Sequence, residues 1–122
     1  MISGQVVALH ILLPVQFRLP ELPDIAIEFV VDTGFTGELT LPIAAIEKLK
    51  LDFIESISAN LATDEEVELP VYAALIFWNG AEREVRVLAT GRRPLLGTAL
   101  LEGLDLYAQF REGGLVALNA ME

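Results

Sequence analysis

Apolar residues in this chain fall in short runs and in alternation, and that pattern predicts strands far more often than helices. Residues 5–13 and 24–32 are rich in Val, Ile, Leu and Phe, and Pro14, Pro20 and Pro23 punctuate the stretch between them. The longest apolar run, 6–15, is about half of what a membrane span needs, so it reads as a buried strand. Residues 71–78 form another run, and the Asn79-Gly80 pair after it is a hairpin signal. Residues 82–88 then alternate charged with apolar side chains, as a half-solvated returning strand should. A second hairpin is predicted where 104–110 and 115–118 flank Glu112-Gly113-Gly114. Only two segments look helical. Residues 42–49 have Pro at the start and apolar residues at 43, 46 and 49, while 98–102 would be capped by Thr98 and stopped by Gly103. No repeat or linker interrupts the chain, so residues 1–122 read as a single all-β domain with one or two short helices. Such a domain must close its sheet or pair its edges. The terminal strands, with Val6, Val7, Leu9, Leu115, Val116 and Leu118, are the candidates for pairing across a dimer.

Composition narrows the chemistry. The chain has 122 residues, 53% of them hydrophobic, and a formal net charge of −10. That apolar fraction argues against disorder, and the negative charge is a poor match to nucleic acid or an anionic membrane surface. With no cysteine there is no thiolate nucleophile, thiolate zinc site or disulfide, and one histidine rules out HExxH sites and His-cluster metal centres. Phosphate-cradling glycine motifs are missing, and Ser3, Ser56 and Ser58 lack a G-x-S-x-G setting. His10 lies inside an apolar pattern and reads as a packed or rim histidine. No Lys or Arg precedes the run at 6–15 and no small-residue cleavage site follows, so the expected compartment is the cytoplasm. Carboxylate chemistry remains, and it needs no metal or cofactor.

One carboxylate is placed unlike the others. Phe29-Val30-Val31-Asp32-Thr33-Gly34 sets an Asp at the end of a continuous apolar strand. An Asp there is costly unless its oxygens find donors or share a proton. Gly34 permits a turn that aims backbone N–H groups at the carboxylate, and the Thr33 hydroxyl could lock it. By chance an Asp-Thr-Gly occurs in about one chain of this length in a hundred, so alone it is only suggestive. About sixty residues later, Leu95-Leu96-Gly97 opens the short helix at Thr98.

Together, these two elements resemble the retropepsin-like aspartic proteases, in particular their small single-domain bacterial members. That family places apolar-apolar-Asp-Thr/Ser-Gly at a strand end and a distal apolar-apolar-Gly before a helix. Phe35-Thr36-Gly37-Glu38-Leu39-Thr40-Leu41-Pro42 and the stretch around Leu101 to Asp105 are similar too, and the likeness covers residues 5 to 118. It implies a closed acid-protease barrel lobe, a symmetric homodimer, and hydrolysis of a peptide or protein substrate. Asp32 would be catalytic, with Thr33, Gly34, Leu95, Leu96 and Gly97 supporting its loop. Two carboxylates on the order of 3 Å apart cannot both ionise, so they share one proton and supply both base and acid. The chain has a single Asp-Thr-Gly, so the second carboxylate must come from a second copy, and Thr33 of each would brace the other's loop. A second class of function stays open: a non-catalytic dimeric peptide-binding module on the same fold.

The resemblance also implies a flap, and 58–71 is the candidate, with its tip at Leu61, Ala62, Thr63, Asp64 and Glu65. Retropepsin flap tips are commonly glycine-rich, and this one is acidic instead. It reads either as a solvated loop or as a negative lid that favours basic residues beside the scissile bond. Trp78 reads as a packed strand-end aromatic, Arg92-Arg93 as a solvated turn, and Glu38 as solvent-facing because it alternates with Leu39 and Leu41. If the negative lid is correct, peptides differing only in Lys or Glu beside the cleaved bond should be hydrolysed unequally, with Lys faster. Equal rates would leave the flap a solvated loop.

Overall fold

Alternation decides which side of each strand is buried. In the computed structural model, which describes residues 1–60 and 63–122, β2 (His10–Arg18) buries Leu13, Val15 and Phe17 and exposes Pro14, Gln16 and Arg18. β6 (Glu66–Trp78) buries Ala74, Ile76 and Trp78 in the same way, and β7 (Ala81–Ala89) buries Val85, Val87 and Ala89. These faces meet in one apolar core that runs from Val6 to Leu118. Phe17 and Phe29 stack within it, ring centres 6.0 Å apart, and both are fully buried.

The described residues are mostly β, with one α-helix among them. The remaining strands are β1 (Ile2–Val7), β3 (Ile25–Val31), β4 (Leu39–Leu41), β5 (Asp52–Asn60), β8 (Leu95–Leu96), β9 (Leu104–Ala108) and β10 (Leu115–Ala120). They form a ten-stranded sheet in the order β5-β6-β7-β4-β8-β3-β2-β1-β10-β9. An extra β2–β6 pairing, Gln16 to Arg18 against Phe77 to Leu75, completes a circuit of pairings through β6, β7, β4, β8, β3 and β2. One edge of β2 therefore serves two partners, β1 at residues 10–12 and β6 at 16–18. Pro14 falls at the change-over, where a residue without an amide hydrogen leaves no ladder bond unmade. The helix α1 (Ile43–Leu49) follows Pro42, buries Ile46 and Leu49, and ends on Lys50 in the left-handed region.

Several sequence expectations need correcting. The run at 6–15 is not one strand, because Ala8 and Leu9 turn with φ of 50° and 65° and split it into β1 and β2. Left-handed backbone at two non-glycine residues gives no compositional signal. The segment at 98–102 is a 3-10 turn over Thr98–Leu100 whose N-cap is Gly97. The Thr98 hydroxyl donates instead to the Phe35 carbonyl, at 3.4 Å. The terminal strands do not offer free edges. β1 pairs with β2 and β10, and β10 lies between β1 and β9, so the outer strands of the order are β5 and β9.

Trp78 is packed as expected, with its indole N–H donating to the Leu100 carbonyl at 3.1 Å. Phe17→Ala removes one member of the stacked pair from a site with no solvent. It should cost about 3–5 kcal/mol of stability, read from the midpoint of chemical denaturation.

Candidate active site

The site is built where β3 ends. β8 lies between β3 and β4, parallel to the first (Val30 opposite Leu95, Val31 opposite Leu96) and antiparallel to the second (Leu39 opposite Leu96). Asp32 leaves β3 with its amide still donating to the Leu96 carbonyl at 2.9 Å. The chain then turns. Gly34 N–H donates to Asp32 Oδ1 at 2.9 Å, and Phe35 N–H to the Asp32 carbonyl at 3.1 Å. A β-carbon on Gly34 would stand 3.2 Å from that same Oδ1, so a side chain there would press on the carboxylate. Asp32 is partly buried, and Thr33 and Gly34 are exposed.

The return of the loop is fixed on Gly97. Gly97 N–H donates to the Glu38 carbonyl at 2.8 Å, Thr98 N–H to Phe35 at 2.9 Å and Ala99 N–H to Gly37 at 3.2 Å. A β-carbon at Gly97 would lie 2.1 Å from the Gly37 carbonyl oxygen and 2.6 Å from the Phe35 ring. Thr40, the only buried polar side chain among the described residues, accepts the Leu95 N–H on its hydroxyl at 3.2 Å. The structure thus brings Asp32, Gly34, Leu95, Leu96 and Gly97 into one hydrogen-bonded unit. Thr33 stands at its surface, and among the described residues its hydroxyl has no hydrogen-bond partner, so it does not lock the turn within the chain.

The other residues singled out from the sequence lie elsewhere. β5 and β6 pair as a hairpin from Asp52 opposite Ala73 to Asn60 opposite Glu66. Thr63, Asp64 and Glu65 lie in its turn, all exposed, with Asp64 at a φ of 64°. Leu61 and Ala62 lie outside the described residues. His10 is at the surface, its Nε2 3.2 Å from Arg93 Nη1. Glu38 is not solvent-facing: its side chain is 20% exposed and binds two groups of β7. Alternation with Leu39 and Leu41 misled here because the residue between those two, Thr40, is itself buried. No local signal marks it, because β4 is three residues long and the groups that bind Glu38 lie on β7.

A cleft of about 450 Å³ opens between Arg18, Asp24, Lys50, Asp52 and Glu84, at the opposite end of β2 and β3 from Asp32. No residue of the Asp32 loop lines it. Among the described residues no three His, Asp or Glu side chains converge on a point where a metal ion could sit.

A crystal structure of a retropepsin-like aspartic protease from Rickettsia conorii superposes on this chain with a TM-score of 0.56. The match covers 98% of this chain and 91% of the other, at 17% sequence identity. The fold is retropepsin-like. A scan against family models and a search of curated proteins find no match. In the retropepsin-like fold of this chain, the Asp-Thr-Gly and Leu-Leu-Gly elements are the two that meet at the end of β3.

Gly97→Ala and Gly80→Ala separate crowding from backbone strain. Gly80 has a φ of 83° and open space around it, so alanine there should cost about 1–2 kcal/mol. At Gly97 the new methyl meets backbone oxygen, and the loss should exceed that of Gly80→Ala, at about 3 kcal/mol or more. Equal losses in thermal or chemical denaturation would contradict the packing described.

Proposed function

We propose that this chain is one half of a retropepsin-like aspartic endopeptidase. Residues 1–122 form a single closed barrel lobe, and two copies meet about a two-fold axis to hydrolyse peptide bonds in the cytoplasm without metal or cofactor. The observation that supports this most directly is the Asp32 loop. Its backbone is held by the Leu96 carbonyl and the amides of Gly97, Thr98 and Ala99, while the carboxylate receives one internal donor, Gly34 N–H on Oδ1. Rigid backbone behind a carboxylate that keeps an oxygen unengaged is what water activation requires.

In this reading Asp32 of one copy and Asp32 of the other share a proton. The ionised member takes a proton from water as it attacks the carbonyl carbon, and the protonated member gives its proton to the leaving nitrogen. Thr33, Gly34, Leu95, Leu96 and Gly97 support the loop. The turn of the β5–β6 hairpin, with Thr63, Asp64 and Glu65, closes over substrate and excludes water, as lids do in enzymes of this kind.

Asp32→Asn keeps the shape and the Gly34 hydrogen bond but cannot exchange the proton. It should lower kcat/KM on a peptide substrate by about a thousandfold or more, while sedimentation still shows the dimer. Retained cleavage by this variant, or an active wild-type protein that is strictly monomeric, would refute the reading.

A further inference from the structure

We propose that Glu38 is a positioning residue for the Asp32 carboxylate, and that Arg86 and Glu55 extend its hold to the β5–β6 hairpin. The proposal rests on the protease reading above. Glu38 is the last residue of the Asp32 loop and the point where three elements are tied. Its carbonyl accepts Gly97 N–H at 2.8 Å. Its Oε1 accepts Arg86 N–H at 2.8 Å, and its Oε2 accepts from Arg83 Nη2 at 3.0 Å.

The geometry explains why a carboxylate stands there. The parallel β4–β7 ladder begins with Leu39 opposite Val87, so Arg86 faces no β4 residue. Glu38 Oε1 takes the place of the missing carbonyl and caps the ladder with a charge-assisted bond. Both carboxylate oxygens are then committed to β7, and the loop that began at Asp32 cannot swing away from β8 without breaking them.

Arg86 carries the connection outward. Its Nη1 donates to Glu55 Oε2 at 2.7 Å, reaching from β7 across β6 to β5. A bulge makes this meeting happen. The register shifts between Phe53 and Glu55, so Glu55 rather than Ile54 stands opposite Val71, two residues along β6 from the partner of Arg86. Bulges are a usual means of re-aiming one side chain. The result is a polar chain from loop to hairpin: Asp32 loop, Glu38, Arg86, Glu55. The outer pair is well exposed, at 59% and 48%, and Glu38 is the shielded member at 20%. Solvent screens the outer pair more, so the hold on the loop is concentrated at Glu38.

The test uses the full chain at a concentration where it is assembled, and begins with a readout independent of cleavage. Amide hydrogen exchange at Phe35 and Gly97 should accelerate about tenfold or more in Glu38→Ala, with Val15 in β2 unchanged. Glu38→Gln, which keeps an acceptor oxygen, should restore part of the protection, and it supplies the same reading if the alanine variant does not fold. With a peptide substrate, Glu38→Ala should lower kcat about tenfold or more and leave KM within about twofold. Glu55→Gln should instead raise KM with kcat held, because it loosens only the hairpin. Unchanged exchange at Phe35 and Gly97 in the folded Glu38 variants overturns the proposal, whether or not peptide is cleaved. Accelerated exchange in a protein whose wild type cleaves nothing supports the positioning role and overturns the protease reading alone.

Discussion

Where Gly97 passes beneath the Asp32 loop, the Gly37 carbonyl and the Phe35 ring occupy the volume that a β-carbon would need. The approach is close enough for the backbone of residues 97–99 to donate three consecutive hydrogen bonds into residues 35–38. Those bonds let a strand of only two residues, β8, join β3 to β4. Without β8, β3 and β4 would be linked only the long way round, through β2, β6 and β7. The constraint that shapes the candidate site is therefore the one that completes the fold. It also accounts for the cost of placing Asp32 at an apolar strand end, since the same loop that supplies the glycine-sized gap supplies the Gly34 donor.

At the other end of the sheet the terminal strands are also paired. β10 lies between β1 and β9, and the turn at Ala8 is fastened to the β9–β10 connection by Glu112, which accepts the Ala8 N–H at 3.0 Å. Both terminal strands find their partners within one chain. Pairing of those two strands therefore needs no second copy, which separates the fold from any assembly that the proposed function requires. That separation is what allows a substitution at Asp32 to be read as chemistry rather than as loss of the fold.

Legibility followed the physics of each element. The strands at 24–32, 71–78, 82–88, 104–110 and 115–118 were readable because burial on one or both faces leaves an apolar trace. β5 was not, because it is an edge strand with most of its residues exposed, and so carries little apolar periodicity. β4 and β8 are too short to show a period at all, and their assignment depends on partners distant in the chain. The turn at Ala8-Leu9 was hidden because its left-handed residues are neither Gly nor Asn. At the site, Asp32 and Leu95-Leu96-Gly97 were visible as local motifs. Glu38 was misplaced, because what shields it is Arg83 and Arg86, more than forty residues away. Local pattern identifies a motif, and long-range pairing decides which neighbours support it.

On the proposed reading Asp32 is the base, and among the described residues of one chain no other carboxylate is hydrogen-bonded to it. Glu38 is the carboxylate nearest in sequence beyond the Asp32 turn, and both of its oxygens are taken by donors from β7, which leaves neither to share a proton with Asp32. Glu55 and Glu66 are held by Arg86 and by the Ser58 hydroxyl on the hairpin. His10 has its Nε2 turned to Arg93. What the loop of one copy leaves open is an exposed Thr33 hydroxyl and a partly exposed Asp32, both at the end of β3. For the reaction proposed above, a second copy bringing the same two groups would supply the proton donor that one Asp32 turn lacks.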